Sequence, residues 1–432
     1  MSRNRIKRLN VLTPQGFSGE LAKEARYAFN YMTTERERGV SLIMPIRAES
    51  YASGALPAPF LQNRPEGFLL ERLQHRFAKE GGLDEMDLLA YSSCQIGRLR
   101  FEQPATQKTR KPPQIGRAQL LKEQASKALF ESLVDTYLLE SGVSGVQPKV
   151  LIPDLDKTQL DSRITVVQPD LIVKAAGIDY PGLAQNEFLC MTAAKTAGLP
   201  VPDFWLSDNG QLFVMARFDL SQDGQSLGFE DFCSLFNKGG QVDAKYSSTY
   251  ESLAKGVSYF CTDLAGRVDS LHRLFEYLAL SVLVRNGDAH LKNFGLLYEH
   301  PGHPDGARLS PLYDVVTTSM YDMQPRVSGA AVYDRQLALK LNGSREYPSR
   351  AELIRFGREH CHVQHPEQVI ERLSEAVAET LRKEAERIDA AILAAMTKEW
   401  GQGLLSLQPQ GLSVPRHKTA GKANSLNSRG RR

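Results

Sequence analysis

The chain has 432 residues, a formal net charge of +3 and an apolar fraction of 42%. This length accommodates two or three domains, and the composition is that of an ordinary globular protein rather than of a disordered or fibrous one. The nearly balanced charge gives no electrostatic basis for direct binding to nucleic acid.

Targeting and redox features are equally plain. The five cysteines are scattered, without the paired spacing of a disulfide framework or a zinc ribbon. The first residues are basic and polar with no apolar core after them, so we expect no secretion signal. No run approaches the roughly eighteen consecutive apolar residues that a membrane span requires. We therefore expect a cytoplasmic protein that does not enter a membrane.

The first part of the chain, residues 1–103, is predicted to be a small mixed subdomain. Its predicted elements are a strand over 39–45, helices over 67–79 and 84–90, and a strand over 95–101. Residues 104–117 lose apolar periodicity and gain Pro, Lys and Arg, which predicts a linker or exposed loop.

A glycine- and serine-containing loop follows. A helix is predicted over 118–140 from its spaced leucines, and it leads into residues 141–150, SGVSGVQPKV. Backbone amides of such a loop can approach phosphate groups because no side chain stands in the way. The glycine spacing and terminal Lys-Ser/Thr of a Walker A motif are absent, so the loop by itself is as consistent with an ordinary turn.

The next strands and helix place a lysine and a glutamate in a suggestive order. Strands are predicted over 150–152, 164–167 and 170–174, the first two as a hairpin. Lys174 ends an apolar strand, where a kinase places the lysine that touches nucleotide phosphates. Glu187, at the start of a helix predicted to run to Gly198, is its expected partner. The alternative is a surface lysine and a glutamate favoured by the helix dipole.

A second hairpin and a helical region come next. Strands are predicted over 204–206 and 212–215 around a turn at 207–210, and the strand exit at 216–219 suits a hinge whose backbone faces adenine. Beyond it, residues 228–400 are predicted to be mostly helical, with one last helix running from Pro366 through Ile392. From Gln408 onward the chain is polar and basic, which predicts disorder.

The most informative stretch is 286–293, NGDAHLKN, which follows a strongly apolar helical run. A polar cluster at the end of a buried helix is costly unless its groups have partners or a function. After an apolar strand-like run, a second isolated carboxylate arrives at Asp314. The order of Asp288, Asn293 and Asp314 is the layout that kinase-type phosphoryl transfer needs.

Each residue of this set has a predicted role. Asp288 orients or deprotonates the attacking hydroxyl, whereas Asn293 and Asp314 hold Mg²⁺. Lys292 neutralises charge on the transferred group, and His290 positions the loop. The alternative for any one of them is capping of a helix or turn, but the complete ordered set favours the kinase interpretation.

With these residues set out, the chain resembles the HipA family of bacterial serine/threonine kinases, the toxins of HipA–HipB toxin–antitoxin pairs. The motifs that carry the resemblance are Ser144–Lys149, Ile172–Lys174, Asn186–Cys190, Gly198–Pro202, Arg217–Asp219, Asn286–Asn293 and Leu312–Asp314. The turn Arg64-Pro65-Glu66-Gly67 is similar to the family's Leu-Pro-Glu-Gly turn.

The resemblance implies an α+β, two-lobed protein-kinase-like fold, with the extra N-terminal subdomain at 1–103, a mixed N-lobe at 118–220, a mostly helical C-lobe at 221–405 and a tail at 406–432. It implies ATP and Mg²⁺ as cofactors, with Asp288 catalytic and Asn293 and Asp314 on the metal. The residues expected at the nucleotide are Lys174, Glu187, Ser144, Gly145, Val146, Gln147, Lys149, Met215, Arg217 and His290.

The resemblance also implies regulation and partners. The family autophosphorylates a serine in the loop before Gln147, which ejects the loop and switches the enzyme off; Ser144 matches one position used, and Ser141 lies just outside. The family's targets include aminoacyl-tRNA synthetases, and its usual partner is a small helix-turn-helix antitoxin. The chain departs from the family's usual residues near the hinge, at Ala216 and Leu220, and in the N-terminal subdomain at 92–94. These departures concern the hinge contacts and the docking of the antitoxin.

Two other functions fit the same residues. A small-molecule phosphotransferase of the antibiotic-kinase kind shares the Asp-to-Asn spacing and the later metal-binding Asp, and it would need an acidic or aromatic pocket for its substrate. A non-catalytic nucleotide-binding module is the third possibility. The presence of Lys174, Asp288, Asn293 and Asp314 disfavours it, because a decayed kinase usually loses one of them.

Overall fold

The computed structural model describes residues 5–78, 82–92, 94–104, 115–138, 141–142, 147–156, 170–175, 180–239, 242–321 and 335–409. The predicted phosphate-loop residues Ser144, Gly145 and Val146 lie outside the described residues. So do the predicted strand at 164–167, most of the predicted linker, and the tail from residue 410.

The N-terminal region is built on an antiparallel sheet in the order β4-β3-β2-β1-β6. Its elements are β1 (Arg8–Thr13), β2 (Gly16–Lys23), β3 (Tyr27–Tyr31), β4 (Tyr51–Ser53), α1 (Ala58–Leu61), α2 (Gly67–Phe77), α3 (Glu85–Tyr91), β5 (Cys94–Gln95) and β6 (Arg100–Glu102). Alternate residues of paired strands, such as Leu9, Leu21 and Phe29, point into one core.

Of two predictions for this region, one is confirmed and one is wrong. The helix predicted at 67–79 is confirmed as α2. The strand predicted at 39–45 is wrong: those residues form a turn closed by a single bridge between Ser41 and Met44. The strands β1 to β3 were missed because polar residues alternate with their buried ones, which weakens an apolar run.

Helix α2 packs away from the N-terminal sheet. Its buried residues Leu69, Leu73 and Phe77 belong to the core of the main body, together with Phe130 of the following helix pair. The sheet has a separate core of its own. The N-terminal region is therefore joined to the rest of the molecule through α2.

The N-lobe contains a four-stranded antiparallel sheet in the order β10-β11-β9-β8. Its elements are α4 (Arg117–Lys122), α5 (Ser126–Tyr137), β7 (Ser141–Gly142), β8 (Lys149–Ile152), β9 (Leu171–Ala175), α6 (Leu183–Thr196), β10 (Phe204–Leu206) and β11 (Leu212–Ala216). The hairpin predicted at 204–215 is confirmed as β10 and β11.

One N-lobe prediction is corrected, and the hairpin predicted between 150–152 and 164–167 lies partly outside the described residues. The single helix predicted over 118–140 is two helices, because the backbone becomes extended at Glu123. Among the described strands, β8 pairs with β9, which places Lys149 directly opposite Lys174. The short strand β7 pairs in parallel with β5, so a strand of the N-terminal region is hydrogen-bonded to the N-lobe.

The C-lobe is mostly helical, as predicted. Its elements are β12 (Gly228–Asp231), α7 (Phe232–Leu235), α8 (Tyr250–Phe260), α9 (Leu264–Leu283), β13 (Gly295–Tyr298), β14 (Arg308–Leu309), β15 (Gln336–Leu341), β16 (Ser344–Glu346), α10 (Arg350–Glu359), α11 (Pro366–Lys383) and α12 (Ala390–Ser406). The C-terminal half of α9 is almost wholly buried and forms the centre of this lobe.

The last helical prediction is also corrected. The helix expected from Pro366 through Ile392 is split into α11 and α12 by a 3₁₀ turn at Ala385–Arg387. Asp389 caps the second helix by accepting from the backbone N–H groups of Ala391 and Ile392. Over the described ranges, the structure contains no helix with the length and apolarity to cross a membrane.

Candidate active site

The predicted catalytic loop begins where the buried helix α9 ends. Arg285 adopts a left-handed conformation (φ +55°), which turns the chain out of the helix. The Asp288 N–H donates to the Asn286 side-chain oxygen at 3.0 Å, and the Gly287 N–H donates to Thr318 Oγ1 at 2.7 Å. A 3₁₀ turn, Leu291–Asn293, closes the loop. The local bonds thus hold Asp288 at the tip.

The side chain of Asp288, the predicted catalytic carboxylate, is half-exposed. The hydroxyl of Tyr246 donates to its Oδ1 at 2.9 Å. His290 Nε2 lies 3.8 Å from the same oxygen, and the His290 ring meets the Tyr246 ring edge-on. Burial lowers the pKa of His290 to about 4 despite the opposing charge of Asp288. His290 is therefore neutral beside the carboxylate at physiological pH.

Asn293 links the two halves of the site. Its Nδ2 donates to the backbone carbonyls of Asp288 at 3.0 Å and of Asp314 at 3.4 Å. Because both acceptors are carbonyl oxygens, the group of Asn293 that faces them is the amide nitrogen rather than the carboxamide oxygen. The structure therefore brings Asn293, Asp288 and Asp314 into one neighbourhood.

Lys174 makes one ionic contact within the N-lobe and one with the C-lobe. Its Nζ lies 2.5 Å from Oε1 of Glu187 on α6 and 2.7 Å from Oδ1 of Asp314 in the C-lobe. Lys149, opposite Lys174 on β8, places its Nζ 3.8 Å from Asp314 Oδ2. Lys174 and Glu187 are buried, and Asp314 is about one-third exposed. The predicted pairing of Lys174 with Glu187 is present, and Asp314 is added to it.

These charges determine one another's ionisation. Burial would raise the pKa of Asp314, but the ammonium groups of Lys149 and Lys174 more than offset it and hold the pKa well below its ordinary value. Burial would lower the pKa of Lys174, but Asp314 and Glu187 hold it above the ordinary value. For Lys149 burial dominates, and its pKa is lowered. The site therefore presents an ionised carboxylate beside a firmly protonated lysine.

The segment after Asp314 is clamped to α6. The side chain of Asn186 donates to the Thr317 carbonyl at 3.0 Å and accepts from the Thr317 N–H at 2.8 Å. Asp314 itself has a left-handed backbone (φ +59°), a conformation that Asp adopts more readily than most residues. Consecutive residues of α6, Asn186 and Glu187, thus fix the Asp314 segment and Lys174.

Lys292 meets a residue from the N-terminal region. Its ammonium forms an ion pair with Oε1 of Glu66, and the Tyr313 hydroxyl donates to its backbone carbonyl at 2.8 Å. Burial would lower the pKa of Lys292, and the carboxylates of Glu66 and Asp231 more than offset this. Lys292 is therefore protonated, and its ammonium is bound by a segment of chain that is distant in sequence.

The two described ends of the predicted phosphate loop differ in the hydrogen bonding of their side chains. The Nε2 of Gln147 is buried and has no hydrogen-bond partner within the described ranges. A buried donor of this kind is available to bind an anion. Ser141 is buried, and its Oγ accepts from the Leu151 N–H at 3.0 Å and donates to the Tyr137 carbonyl at 2.9 Å. Phosphorylation of Ser141 would require these bonds to break.

The hinge residues Met215 and Arg217, which were predicted to lie at the nucleotide, have defined protein contacts. Met215 is buried in β11, opposite Phe204 and Ile172. Arg217 donates from its Nε and NH2 to Asp219, at 2.9 and 2.5 Å, and from NH2 to the Gln95 carbonyl at 2.8 Å. The guanidinium predicted to contact nucleotide is thus engaged with the N-terminal region.

Two residues at the site were not predicted to act there. Tyr246 lies 42 positions before Asp288, and Glu66 lies 226 positions before Lys292. Periodicity and local motifs carry no information about contacts of such separation. For Glu66 the similarity of its turn to a family motif marked the segment, but it indicated no partner.

Comparison with protein-family models gives two matches. Residues 9–102 match the HipA N-terminal domain, and residues 141–386 match the HipA-like C-terminal domain. The second match alone spans more than half of the chain. The first match covers the N-terminal sheet, and the second covers most of the two lobes described above.

Sequence relatives are partial. The chain is 33% identical over 164 residues to Y4dM, a predicted kinase of Sinorhizobium fredii, a match that covers 35% of this chain and 38% of the relative. It is 30% identical over 191 residues to a predicted kinase of Haemophilus influenzae, covering 41% of this chain and 53% of the relative. The matched segments thus span about half or less of these relatives.

Among solved structures, the chain is similar to HipA of Shewanella oneidensis, determined with HipB and its operator DNA. The TM-score is 0.65 at 18% sequence identity, and the match covers 92% of this chain and 96% of that one. A likeness at this identity shows the fold. It confirms the two-lobed, kinase-like α+β architecture predicted from the sequence.

Proposed function

The chain belongs to the HipA family, and on that premise we propose that it is a protein serine/threonine kinase that uses ATP and Mg²⁺. The observation that carries the proposal is the double contact of Lys174 with Glu187 and Asp314. A lysine that binds a helix glutamate and faces a metal-binding carboxylate is the arrangement that kinases use to place nucleotide phosphates. Three separate elements must converge to produce it.

In the proposed reaction, an acceptor hydroxyl oxygen attacks the γ-phosphorus of ATP. The new O–P bond forms as the bond to the β–γ bridging oxygen breaks, ADP leaves, and Asp288 receives the hydroxyl proton. Asp288 is the half-exposed carboxylate of the site, which lets an incoming hydroxyl reach it. The hydroxyl of Tyr246 donates to Oδ1 of Asp288, so the substrate hydroxyl must use the other carboxylate oxygen, share Oδ1 or displace Tyr246.

Charged and amide groups are proposed to bind the phosphates. Lys174 and Lys149 lie on adjacent strands with their ammonium groups near Asp314, and Gln147 supplies the unpartnered donor noted above. Ser144, Gly145 and Val146 are proposed to cover the phosphates with backbone amides. Lys292 is proposed to face the transferred group, whereas the partners of Arg217 leave it a structural role at the hinge.

The donor set fits Mg²⁺. Asp314 supplies an ionised carboxylate, and Asn293, whose amide nitrogen faces the two backbone carbonyls, supplies a carboxamide oxygen. Hard oxygen ligands of this kind, few in number, suit a cation that retains several waters. A magnesium ion held there supplies neutralisation of phosphate charge.

Regulation and partners follow from the family. We propose that Ser144 is the residue autophosphorylated, since Ser141 is buried and doubly hydrogen-bonded. A protein such as an aminoacyl-tRNA synthetase is the proposed target. The proposed partner is a small HipB-like helix-turn-helix antitoxin, as in the Shewanella complex, and the proposed location is the cytoplasm, where the buried thiols stay reduced.

Incubation of the purified protein with γ-labelled ATP and Mg²⁺, alone and with a cell lysate, tests the proposal. Label on the protein itself and on a lysate protein is expected, and both are lost in Asp288→Asn. Label confined to small metabolites would indicate a small-molecule phosphotransferase. Nucleotide binding without any transfer of label would indicate a binding module. Either result would overturn the kinase assignment.

A further inference from the structure

Glu66 immediately precedes helix α2. It is the N-cap of that helix, and its side chain accepts no hydrogen bond from the helix backbone. Glu is not among the residues that commonly cap a helix, so this carboxylate is not committed to the N–H groups of the first turn. Here the carboxylate instead reaches across to Lys292 in the catalytic loop. The contact is between regions that the sequence separates by 226 positions.

The position of Glu66 is fixed on its own side. Helix α2 is anchored by Leu69 and Leu73 in the main core. Just before it, the side chain of Gln62 donates to the Phe229 carbonyl at 2.5 Å and accepts from the Asp231 N–H at 3.3 Å. The α1–α2 connection is thus bonded to the end of β12, and Glu66 is presented to the C-lobe by a rigid support.

Lys292 is fixed at its other end by the metal-binding side of the site. Its carbonyl accepts from the hydroxyl of Tyr313, the residue before Asp314. The side chains of Lys292 and Glu66 are 17% and 31% exposed. An ion pair shielded to this degree constrains its members more than a surface pair does. Glu66 is therefore the partner that determines where the ammonium of Lys292 lies.

We propose that Glu66 is a positioning residue for phosphoryl transfer, through which the N-terminal region completes the active site by holding Lys292 in the catalytic loop. This inference rests on the proposed kinase function. Asp231 is the next carboxylate that acts on Lys292. Without Glu66, the Lys292 ammonium loses the carboxylate to which it is bonded and keeps only the charge of Asp231 as an attraction.

The two directions of effect distinguish positioning from inhibition. If Glu66 positions Lys292, the contact stabilises the transition state and its removal lowers kcat while ATP binding by Lys174 and Asp314 persists. If the pair instead sequesters Lys292, removal of Glu66 raises kcat. The fixed support on the Glu66 side favours positioning, since a releasable lock needs a segment that can withdraw.

The test is the kinetics of phosphorylation by the full chain, measured as the single-turnover rate constant of autophosphorylation or as steady-state kcat on a protein target. For Glu66→Gln we expect kcat to fall by about tenfold or more, with the KM for ATP changing less than about twofold. Glu66→Asp, which keeps the charge on a shorter side chain, recovers part of the loss. The matched control is Glu71→Gln, the same substitution on an exposed position of α2, and it leaves kcat unchanged.

A double-mutant cycle separates action through Lys292 from a general loss of structure. In the Lys292→Met background, Glu66→Gln is expected to cause no further loss, because the group it positions is gone. An equal kcat for Glu66→Gln and the parent, a raised kcat, or a full additional loss in the Lys292→Met background would overturn the inference. An inactive parent protein would overturn the kinase function, and this inference with it.

Discussion

The Nζ of Lys174 lies 2.7 Å from Oδ1 of Asp314, so a strand of the N-lobe is bonded directly to the C-lobe segment proposed to bind metal. The same ammonium contacts Glu187 at 2.5 Å. One buried side chain therefore couples the relative placement of the lobes to the ionisation of the carboxylate that is proposed to bind the metal. Several measurable consequences depend on this contact and on the loop beside it.

Removal of Lys174 is expected to affect stability and activity separately. Lys174→Met leaves the buried carboxylate of Glu187 without its partner, which costs about 3–5 kcal/mol. Adding Glu187→Gln relieves the unpaired charge and recovers most of the stability. Phosphoryl transfer, however, stays at least about a hundredfold below the parent in both variants, because the phosphate contact is gone. Chemical denaturation and label transfer on the same samples measure the two effects. Activity that returned with stability in the double variant would show that Lys174 only supports the fold.

Gly287 is expected to tolerate no side chain. A Cβ there would lie 2.6 Å from the Gln336 carbonyl and 2.9 Å from Thr318 Oγ1, the acceptor of the Gly287 N–H. Gly287→Ala must therefore displace the catalytic loop, at a cost of about 1–3 kcal/mol, and lower kcat. The control is Gly401→Ala in α12, where a Cβ has open space and is expected to stabilise by about 0.5–1 kcal/mol. Equal unfolding midpoints for the two variants would contradict the geometry of the loop.

Asp231 gives a pH-dependent prediction. Burial raises its pKa to about 6, an effect that the nearby Lys292 opposes. The folded protein binds this proton more tightly than the unfolded chain, so the group favours folding below its ordinary pKa and loses that contribution as pH rises through about 6. Asp231→Asn keeps a helix-capping oxygen but cannot ionise. The free energy of unfolding of Asp231→Asn, compared with that of the parent at the same pH, should therefore rise between pH 4 and pH 8 by up to about 3 kcal/mol.

Thermal and denaturant unfolding of both proteins across that pH range measure the effect. Asp263→Asn, which changes the N-cap of α9 in a partly exposed position, is the control for the cap itself. A difference between Asp231→Asn and the parent that stays constant from pH 4 to pH 8 would contradict the assignment of a titrating carboxyl to Asp231.

The sequence anticipated those parts of the molecule that local pattern determines. Helix α2 and the β10–β11 hairpin follow from apolar spacing and turn residues. Lys174 and Glu187 were predicted to pair because each stands at the end of an element, and the pairing is present. Local order along the chain was sufficient for these.

Contacts between distant segments were not accessible in the same way. The pairing of β8 with β9 and the break at Glu123 depend on packing, which overrides propensity. Tyr246 reaches Asp288 through the folding of the C-lobe, and Glu66 reaches Lys292 through the packing of the N-terminal region on that lobe. Spacing could name the charged residues of the site, but it could not supply the residues that hold them.

The most direct test of the central claim measures the effect of Mg²⁺ on nucleotide binding. Calorimetric titration with a non-hydrolysable ATP analogue is expected to give an affinity about tenfold or more higher in Mg²⁺ than in EDTA. Asn accommodates the left-handed backbone of position 314, so Asp314→Asn tests the charge alone. It should abolish most of the Mg²⁺ effect, whereas Asp208→Asn in an exposed turn leaves it intact. An undiminished Mg²⁺ effect in Asp314→Asn would contradict the proposed convergence of Lys174, Asn293 and Asp314 on one metal–nucleotide site.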